Sequence, residues 1–449
     1  MRKLLIANRG EIAVRVIRSA HKLGIATVAV VSEADRESLA ARLADEAVVI
    51  GPAPVASSYL DAEAVLRAAD ETNADAVHPG YGFLSENAEF ARSVIRSGRI
   101  WVGPSPETIE LMGDKARAIA AARAAGVSVV PGTDGPLTDT DEACVEAAKI
   151  GFPLLIKASA GGGGRGIRLV ENGDELAATL ATARAEARAS FGDDTVYLEA
   201  YLRRARHIEV QILGDGARCI HLGDRDCSMQ RRSQKVLEEA PAPNLPEEVR
   251  REVRAAAIRL AEATRYIGAG TVEFLYDPDR SAAYFIEMNT RLQVEHPVTE
   301  QITGIDLVEQ QLRVAQGEPL AFRQEDIQFS GHAIECRINA EDPDRQFFPS
   351  PGLITVMRWP DEPGSRVDAG YDEGLAVPPF YDSLVAKVIV HATTRAQAIE
   401  TMERTLADSR IEGIATTIPL HRRLLDAPEF IDSEHTTTFV EAYLSRTAR

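Results

Sequence analysis

Acidic, amide and basic side chains recur at every second residue of the segment FIEMNTRLQVEHPV, residues 285 to 298. In an extended strand this spacing predicts that Glu287, Asn289, Arg291, Gln293 and Glu295 share one face, with apolar residues tending to the other. Carboxylate and amide oxygens are ligands that suit magnesium, and a carboxylate beside a cation can act as a base. A solvated sheet face can show the same alternation, so the spacing alone leaves that alternative open.

A second acid, Glu273, lies in the segment GTVEFLYD between Val272 and Phe274. A carboxylate in such an apolar run is costly to bury unless it is paired or bound to a metal. Magnesium takes a few protein oxygens and completes its octahedron with phosphate and water. Glu273, Glu287 and Asn289 on neighbouring strands therefore predict a magnesium site that faces a phosphate, and they argue against a solvated face.

The segment KASAGGGGRG, residues 157 to 166, places a glycine run between Lys157 and Arg165. Four consecutive glycines weaken any helix or strand interior, so the run is either a flexible linker or a loop that lies close to a ligand. A P-loop is excluded because Ile167 and Arg168 follow the second glycine, where Lys and Ser or Thr are required.

The dinucleotide pattern GxGxxG also matches in this run, but it requires a helix after the glycines. Here the flanks FPLLIKAS and GIRLVEN are short and apolar, and they predict the two strands of a hairpin with the glycines at its tip. Such a tip can donate many backbone N–H groups to a polyphosphate. We therefore predict a lid that closes over a nucleotide.

The elements that position these segments form several domains, since 449 residues exceed one core and suggest about three. Strand and helix patterns alternate through the first hundred residues, which predicts an open α/β sheet. A lid domain at about 130–203 follows, then a strand-rich part, then an α+β tail. We predict boundaries at 1–113, 114–330 and 331–449.

Composition and charge exclude several classes of protein. The net charge of −18 argues against nucleic acid as a partner, because phosphate-binding surfaces carry clustered Lys and Arg. No apolar run approaches the roughly 18 residues of a membrane span, and the opening MRKLLIANRGE lacks the apolar region of a signal peptide. The four widely spaced cysteines indicate neither a zinc site nor a disulfide framework. We predict a cytoplasmic protein without a membrane partner.

Ordered motifs across essentially the whole chain resemble the ATP-grasp superfamily and, within it, the biotin carboxylases. The motifs are GDKARAIAAARAAGV, the lysine and glycine lid, YLEAYL, RHIEVQ, RDCSMQRR, EEAPAP and IEMNTRLQVEHPVTE. The resemblance implies an ATP-grasp fold with an N-terminal open α/β (Rossmann-like) domain, a glycine-tipped lid domain and a C-terminal α+β domain. It also implies a reaction in which MgATP and bicarbonate form carboxyphosphate, which carboxylates the ureido nitrogen of biotin.

The resemblance assigns a role to each matching residue. It places Lys115, Lys157, Gly163 and Gly164 on the phosphates of ATP. Around the adenosine it places Glu199, Ala200, Tyr201, Leu202, His207 and Gln230. It implies that magnesium or manganese is bound by Glu273, Glu287 and Asn289, and that bicarbonate is bound by Lys235, Arg291, Gln293 and Val294. Glu295 is the expected base, and Arg337 and Tyr81 are expected to face biotin. Without the resemblance, Arg337 could equally form a surface ion pair.

One residue departs from the family pattern. Many relatives carry a larger polar or aromatic side chain, often His, where Ser233 stands in QRRSQK. A serine hydroxyl still donates or accepts a hydrogen bond but reaches less far. We expect an effect on nucleotide affinity and none on the chemistry.

Two other functions remain open from the residues alone. Another ATP-grasp ligase would activate a substrate carboxylate and pass it to an amine, whereas Arg291, Gln293 and Glu295 suit a small anion and proton abstraction. A nucleotide-binding regulatory module would need neither Glu295 nor Arg337. The sequence has no Met-Lys-Met segment with apolar flanks, so we expect the biotin carboxyl carrier protein and carboxyltransferase on other chains. The resemblance further implies a homodimer and acetyl-CoA carboxylase as the assembly, with another acyl-CoA carboxylase or a split pyruvate carboxylase as alternatives.

Overall fold

The computed structural model describes residues 1–133, 135, 137, 139–158, 167–191 and 194–447. The first 113 residues alternate between strands and helices, as predicted. The strands are β1 (Lys3–Ile6), β2 (Ala26–Ser32), β3 (Glu46–Gly51), β4 (Ala76–His78) and β5 (Ile100–Trp101). The helices are α1 (Gly10–Lys22), α2 (Leu39–Leu43), α3 (Ala62–Glu71), α4 (Ala88–Arg96) and α5 (Pro106–Gly113).

These strands form a parallel sheet in the order β3-β2-β1-β4-β5. Leu4, Leu5 and Ile6 of β1 are fully buried, as expected of a central parallel strand that is covered on both faces. Helix α1 buries Ile12 and Val16 against the same core. The carboxyl end of β1 leads directly into α1, and this turn lines a small cavity of about 120 Å³.

The next part contains the predicted lid. Its elements are α6 (Lys115–Ala124), α7 (Thr140–Ile150), β6 (Leu154–Ala158), β7 (Ile167–Val170), α8 (Gly173–Phe191) and β8 (Val196–Ala200). Strand β6 pairs antiparallel with β7, and Leu154 lies opposite Val170. The predicted hairpin is therefore confirmed. Its glycine tip, with Gly163 and Gly164, lies outside the described residues.

Two further groups of elements complete the chain. Residues 204–330 form β9 (Arg206–Asp215), β10 (Cys219–Arg231), β11 (Gln234–Ala240), α9 (Glu247–Ala263), β12 (Ile267–Asp277), β13 (Ala282–Asn289), α10 (His296–Thr303) and α11 (Leu307–Ala315). Residues 331–447 form β14 (His332–Asn339), β15 (Glu341–Asp342), β16 (Phe348–Pro349), β17 (Gly352–Leu353), β18 (Val356–Arg358), β19 (Ser365–Ala369), β20 (Ala376–Val377), β21 (Leu384–Ala392), α12 (Arg395–Asp408), β22 (Arg410–Glu412), α13 (Ile418–Leu425), α14 (Pro428–Ile431) and α15 (Phe439–Thr447).

One large sheet joins these two groups. Its strand order is β13-β12-β9-β10-β11-β14-β21-β19. Strands β11 and β14 pair antiparallel, with Leu237 opposite Cys336 and Glu238 opposite Glu335. The sheet thus continues across residues 330 and 331, where the sequence predicts a domain boundary.

Among the described helices, none combines the length and the apolar character needed to cross a membrane.

Candidate active site

A cavity of about 890 Å³ lies over the large sheet. Six adjacent strands of the sheet, from β13 to β14, each contribute at least one side chain to its lining. Residues 349–351 and 377–384 contribute to another part of the wall. The predicted site residues that line the cavity are Tyr81, His207, Gln230, Lys235, Glu273, Glu287, Asn289, Arg291, Gln293, Val294, Glu295 and Arg337. The fold therefore brings together residues that are up to 256 positions apart in the sequence.

The predicted strand through residues 285–298 is wrong in its second half. Strand β13 ends at Asn289, residues 290–295 form a loop, and helix α10 begins at His296. Pro297 lies in the first turn of α10, where its missing N–H costs nothing, whereas it would remove a hydrogen bond from a strand ladder. Gln293 and Glu295 therefore enter the cavity because the loop turns back over the sheet, and not because of strand alternation.

Lys235 lies at the centre of a group of buried carboxylates. Its Nζ is 2.7 Å from Glu295 Oε1 and 3.3 Å from Glu273 Oε1, and it also donates to Glu209 Oε1. Burial opposes the charged form of Lys235, but Glu209, Glu295 and Glu273 raise its pKa well above the ordinary value. Lys235 is therefore a permanent cation that holds several acids in place.

Glu295 lies between two cations. Its Oε1 accepts from Lys235, and its Oε2 accepts from Arg337 Nη2 at 2.9 Å. Burial alone would raise the pKa of Glu295, but Lys235 and Arg337 hold it well below the ordinary value. Glu295 is 1 % exposed, so it is a buried, ionised carboxylate whose two oxygens each face a cation.

The predicted metal ligands lie on the paired strands β12 and β13. Glu273 is directly opposite Glu287, and Thr271 is opposite Asn289. Two acids in this position repel each other unless a cation lies between them. Burial, and then the charge of Glu273, raise the pKa of Glu287. A bound cation would remove this cost.

The amide of Asn289 completes the donor set. Its Nδ2 lies 2.7 Å from Glu273 Oε1 and 3.4 Å from Glu287 Oε1. The two ends of an amide are exchanged by a flip, which would turn Oδ1 toward a cation between the carboxylates and would break the hydrogen bond that Oδ1 accepts from Arg291. Two carboxylates and one amide oxygen are hard ligands of the type that magnesium or manganese prefers, so these residues fit the predicted metal.

His207 connects Gln230 to the acids of the cavity. Its Nε2 is 2.8 Å from Glu273 Oε2, and its Nδ1 is 2.7 Å from Gln230 Nε2. Burial disfavours the imidazolium, but Glu273 raises the pKa of His207 above its ordinary value. Ser233 lies nearby on the cavity wall, in the turn between β10 and β11, with a left-handed φ of 63°.

Arg291 is held by a residue of the N-terminal part. Its Nε donates to Glu86 Oε2 at 2.9 Å, and its Nη2 donates to Asn289 Oδ1 at 2.9 Å. Burial opposes the charged form, but Glu86 raises the pKa of Arg291. The guanidinium is therefore a fixed cation beside the metal ligands.

Other predicted residues lie away from this cluster. Lys157 of β6 pairs with Glu199 of β8 on the lid sheet, and neither lines the cavity. Ala200 ends β8, and Tyr201 and Leu202 follow it. Lys115 is exposed at the start of α6 and is not part of the cavity wall. Of the residues expected to contact biotin, Tyr81 lines the cavity but donates its hydroxyl to Glu11.

Several residues that shape the site were not predicted. Glu86 holds Arg291, Glu209 holds Lys235, and the fully buried Arg225 donates to Glu209, Gln293 and Thr299. Glu238 accepts from Arg337. The motif RHIEVQ contained a signal for one of them, because alternation along β9 places Glu209 on the same face as His207. Arg225 and Glu238 depend on strand pairing between distant segments, and Glu86 lies in the turn before α4.

Three protein-family models match the sequence in order. The biotin carboxylase N-terminal domain matches residues 1–109, and the ATP-binding domain of the carbamoyl-phosphate synthase L chain matches residues 114–323. The biotin carboxylase C-terminal domain matches residues 335–442. A biotin carboxylase of Haemophilus influenzae is 53% identical over 432 residues, which cover 96% of each chain.

Solved structures agree with these matches. The biotin carboxylase domain of Hydrogenobacter thermophilus 2-oxoglutarate carboxylase, a dimer in complex with MgADP, ADP and bicarbonate, is 48% identical, with a TM-score of 0.86 over 98% of this chain and 97% of that chain. The biotin carboxylase subunit of a pyruvate carboxylase is 46% identical, with a TM-score of 0.93 over 99% and 98%. The cavity, its acids and cations, and these matches over nearly the whole length lead to one conclusion: the chain belongs to the biotin carboxylase family and has the ATP-grasp fold.

Proposed function

We propose that the chain catalyses the ATP-dependent carboxylation of biotin with bicarbonate, through carboxyphosphate. One observation supports this most directly. The buried carboxylate of Glu295 is held by Lys235 and Arg337, and it shares its cavity with the fitting metal ligands Glu273 and Glu287. A base, fixed cations and a divalent-metal site are the parts that activation of a small anion by a nucleotide requires.

The nucleotide binds between the lid and the large sheet in this proposal. Lys115, Lys157, Gly163 and Gly164 contact the phosphates. Glu199, Ala200, Tyr201, Leu202, His207 and Gln230 surround the adenosine. Glu273, Glu287 and Asn289 hold magnesium or manganese, which neutralises phosphate charge when it is bound.

The first step activates bicarbonate. Lys235, Arg291, Gln293 and Val294 position the anion, and Glu295 accepts its proton. The freed oxygen attacks the γ-phosphorus of ATP, the bond to the β-phosphate oxygen breaks, and ADP leaves. The fixed cations stabilise the charge that develops, without having to move at the moment of reaction.

The second step carboxylates biotin. The ureido nitrogen attacks the carboxyl carbon of carboxyphosphate, the carbon–oxygen bond to phosphate breaks, and inorganic phosphate leaves with the proton of the nitrogen. Arg337 and Tyr81 face the ureido ring, and the guanidinium of Arg337 stabilises negative charge on its oxygen.

Two alternatives are less well supported by the geometry. A ligase that joins a larger carboxylate to an amine needs groups that recognise that substrate, whereas Arg291, Gln293 and Glu295 on the cavity wall suit a small anion and proton abstraction. A regulatory nucleotide-binding module has no use for the buried base Glu295 or for Arg337 beside it.

We propose that the biotin arrives on a carboxyl carrier protein and that a carboxyltransferase on another chain accepts the product. Acetyl-CoA is the acceptor we propose, as in fatty acid synthesis, with another acyl-CoA or a keto acid as the alternatives. We also propose a cytoplasmic homodimer, with domains at 1–113, 114–330 and 331–449.

The test is ADP release by the purified chain with MgATP, bicarbonate and free biotin, each omitted in turn. We expect release to require all three, and carbon from labelled bicarbonate to appear in carboxybiotin. ADP release that depends on an amine and a larger carboxylate instead would support the other ligase, and nucleotide binding without turnover would support the regulatory module.

A further inference from the structure

Two buried acids face each other behind the side chain of Arg337. Glu238 of β11 and Glu335 of β14 are register partners in the antiparallel ladder, and both are fully inaccessible to solvent. Directly opposed residues have their side chains on the same face of the sheet, where like charges destabilise it. Neither residue has a role in the steps described above.

The guanidinium of Arg337 lies between two carboxylates. Its Nε donates to Glu238 Oε1 at 2.6 Å, and its Nη2 donates to Glu295 Oε2 at 2.9 Å. In the part of the chain that the structure describes, Glu238 Oε2 and both carboxyl oxygens of Glu335 have no hydrogen-bond partner. Glu238 is thus half-paired, whereas Glu335 has no hydrogen bond to offset its burial.

The charged groups around the pair come from four elements. They are Lys235 on β11, Arg337 on β14, Lys387 on β21 and Glu295 in the loop before α10. Burial raises the pKa of Glu335 well above its ordinary value, against the attraction of Lys387. Burial likewise raises the pKa of Glu238, to about 7, although Arg337 opposes the shift. Burial therefore favours the neutral form of Glu335, and the pKa of Glu238 lies near neutrality.

The charge state of Glu238 decides how strongly Arg337 acts on the proposed base Glu295. With Glu238 ionised, the guanidinium shares its charge between two carboxylates and is fixed in one plane by two hydrogen bonds. With Glu238 neutral, the full charge of Arg337 falls on Glu295, which lowers the basicity of Glu295 and frees the guanidinium to turn.

We propose, on the basis of the proposed function, that Glu238 is a positioning residue for the carboxylation of biotin: its carboxylate orients Arg337 toward the ureido oxygen and preserves the basicity of Glu295, while Glu335 stays neutral opposite it. Activity toward biotin then requires the ionised form of Glu238, so it rises with pH through the neutral range.

The experiment compares wild type with Glu238→Gln and Glu335→Gln over pH 6 to 9, measuring kcat/KM for biotin and KM for ATP. Glutamine imitates a protonated glutamic acid. Glu238→Gln therefore lowers kcat/KM for biotin by about 10-fold or more, the scale of a charge-assisted hydrogen bond. It also removes the limb of the pH profile near pH 7, where kcat/KM of the wild type rises with pH. KM for ATP stays within a few-fold. Glu335→Gln retains both the rate and the limb.

Three outcomes overturn the proposal. These are a wild-type pH profile in Glu238→Gln, an equal loss of ATP binding in that variant, and loss of the limb in Glu335→Gln. If Glu238→Gln does not fold, Glu238→Asp is the deciding variant, because aspartate keeps the charge but holds it farther from Arg337. A lower kcat/KM for biotin with the limb retained supports the proposal. An unchanged rate or a lost limb contradicts it. The proposed function is tested separately, by biotin-dependent ADP release in wild type.

Discussion

Lys235 Nζ lies 2.7 Å from Glu295 Oε1, so the proposed base is held by a cation that also contacts the proposed metal ligand Glu273. Proton abstraction and metal binding therefore share one network of charges. A substitution of Glu295 or Glu273 is therefore expected to disturb the other residue as well. Proton abstraction and metal binding can be separated only by a substitution of Glu295 that keeps its shape and removes its basicity.

Glu295→Gln is such a substitution. It keeps the shape of the side chain and one acceptor oxygen, which can face Lys235 or Arg337. It cannot accept a proton, so we expect biotin carboxylation to fall by roughly 100-fold or more, the range for a lost general base. MgATP affinity should remain nearly intact. Nucleotide binding and biotin-dependent ADP release are measured on the same preparation, with the exposed Glu247→Gln as control. A parallel fall in both quantities would make Glu295 a structural residue or a metal ligand.

Lys157→Ala tests the lid. In the structure Lys157 pairs with Glu199, and we expect it to leave this partner for a phosphate when ATP binds. Loss of that charge should raise KM for ATP or lower kcat by at least about 10-fold, since a charge-assisted bond to the transferring phosphate is lost. Lys149→Ala removes an exposed lysine from the same domain and should have no effect. Equal kinetics for the two variants would show that Lys157 of the lid does not contact the phosphates of ATP during the reaction.

Ser233→His introduces the larger side chain that the family resemblance leads us to expect at this position. In the proposed function this position lies near the ribose and far from the reacting phosphorus, so we expect a lower KM for ATP and a kcat within a few-fold of wild type. Histidine tolerates the left-handed φ at this turn better than a β-branched residue does. Ser233→Ala is the matched control, and a large fall in kcat at saturating ATP would contradict the expected role.

Glu86→Gln tests the anchor of Arg291. Glu86 contacts Arg291 from the N-terminal part of the chain, and its loss should let the guanidinium move. We expect KM for bicarbonate to rise by about 10-fold, the scale of one charge-assisted hydrogen bond, while KM for ATP changes little. Glu89→Gln, a nearby exposed acid, serves as the control. Unchanged bicarbonate kinetics would show that Asn289 alone positions Arg291.

Glu239 should contribute to stability in a pH-dependent way. Burial would raise its pKa, but hydrogen bonds from His332 and Arg395 lower it to about 2. A carboxyl group whose pKa is lower in the folded than in the unfolded state stabilises the folded protein. This contribution is fully present above the unfolded pKa of about 4.3, and it disappears as pH falls toward 2. Glu239→Gln should therefore cost about 3 kcal/mol at pH 7 and about half as much at pH 3. Urea unfolding at both pH values measures this, with surface Glu412→Gln as control.

Strand alternation correctly grouped some of the side chains that the sheet brings together. Glu273 and Glu287 could be placed from their own segments, because alternation on two consecutive strands suffices to make them neighbours. Glu295 was expected on the same strand face, and it reaches the cavity by a loop instead. The opposition of Glu238 and Glu335 could not be predicted, because no local pattern shows which strands pair across such a separation.

The pairing of β11 with β14 has a consequence for any attempt to divide the chain. A fragment that ends at residue 330 would leave one edge of β11 without its partner strand, and the complementary fragment would leave β14 in the same state. An exposed edge with free N–H and C=O groups recruits strands from other molecules. Separate expression of the two parts should therefore give aggregates, whereas mixing them during refolding should restore a soluble complex, with each fragment acting as the missing strand of the other.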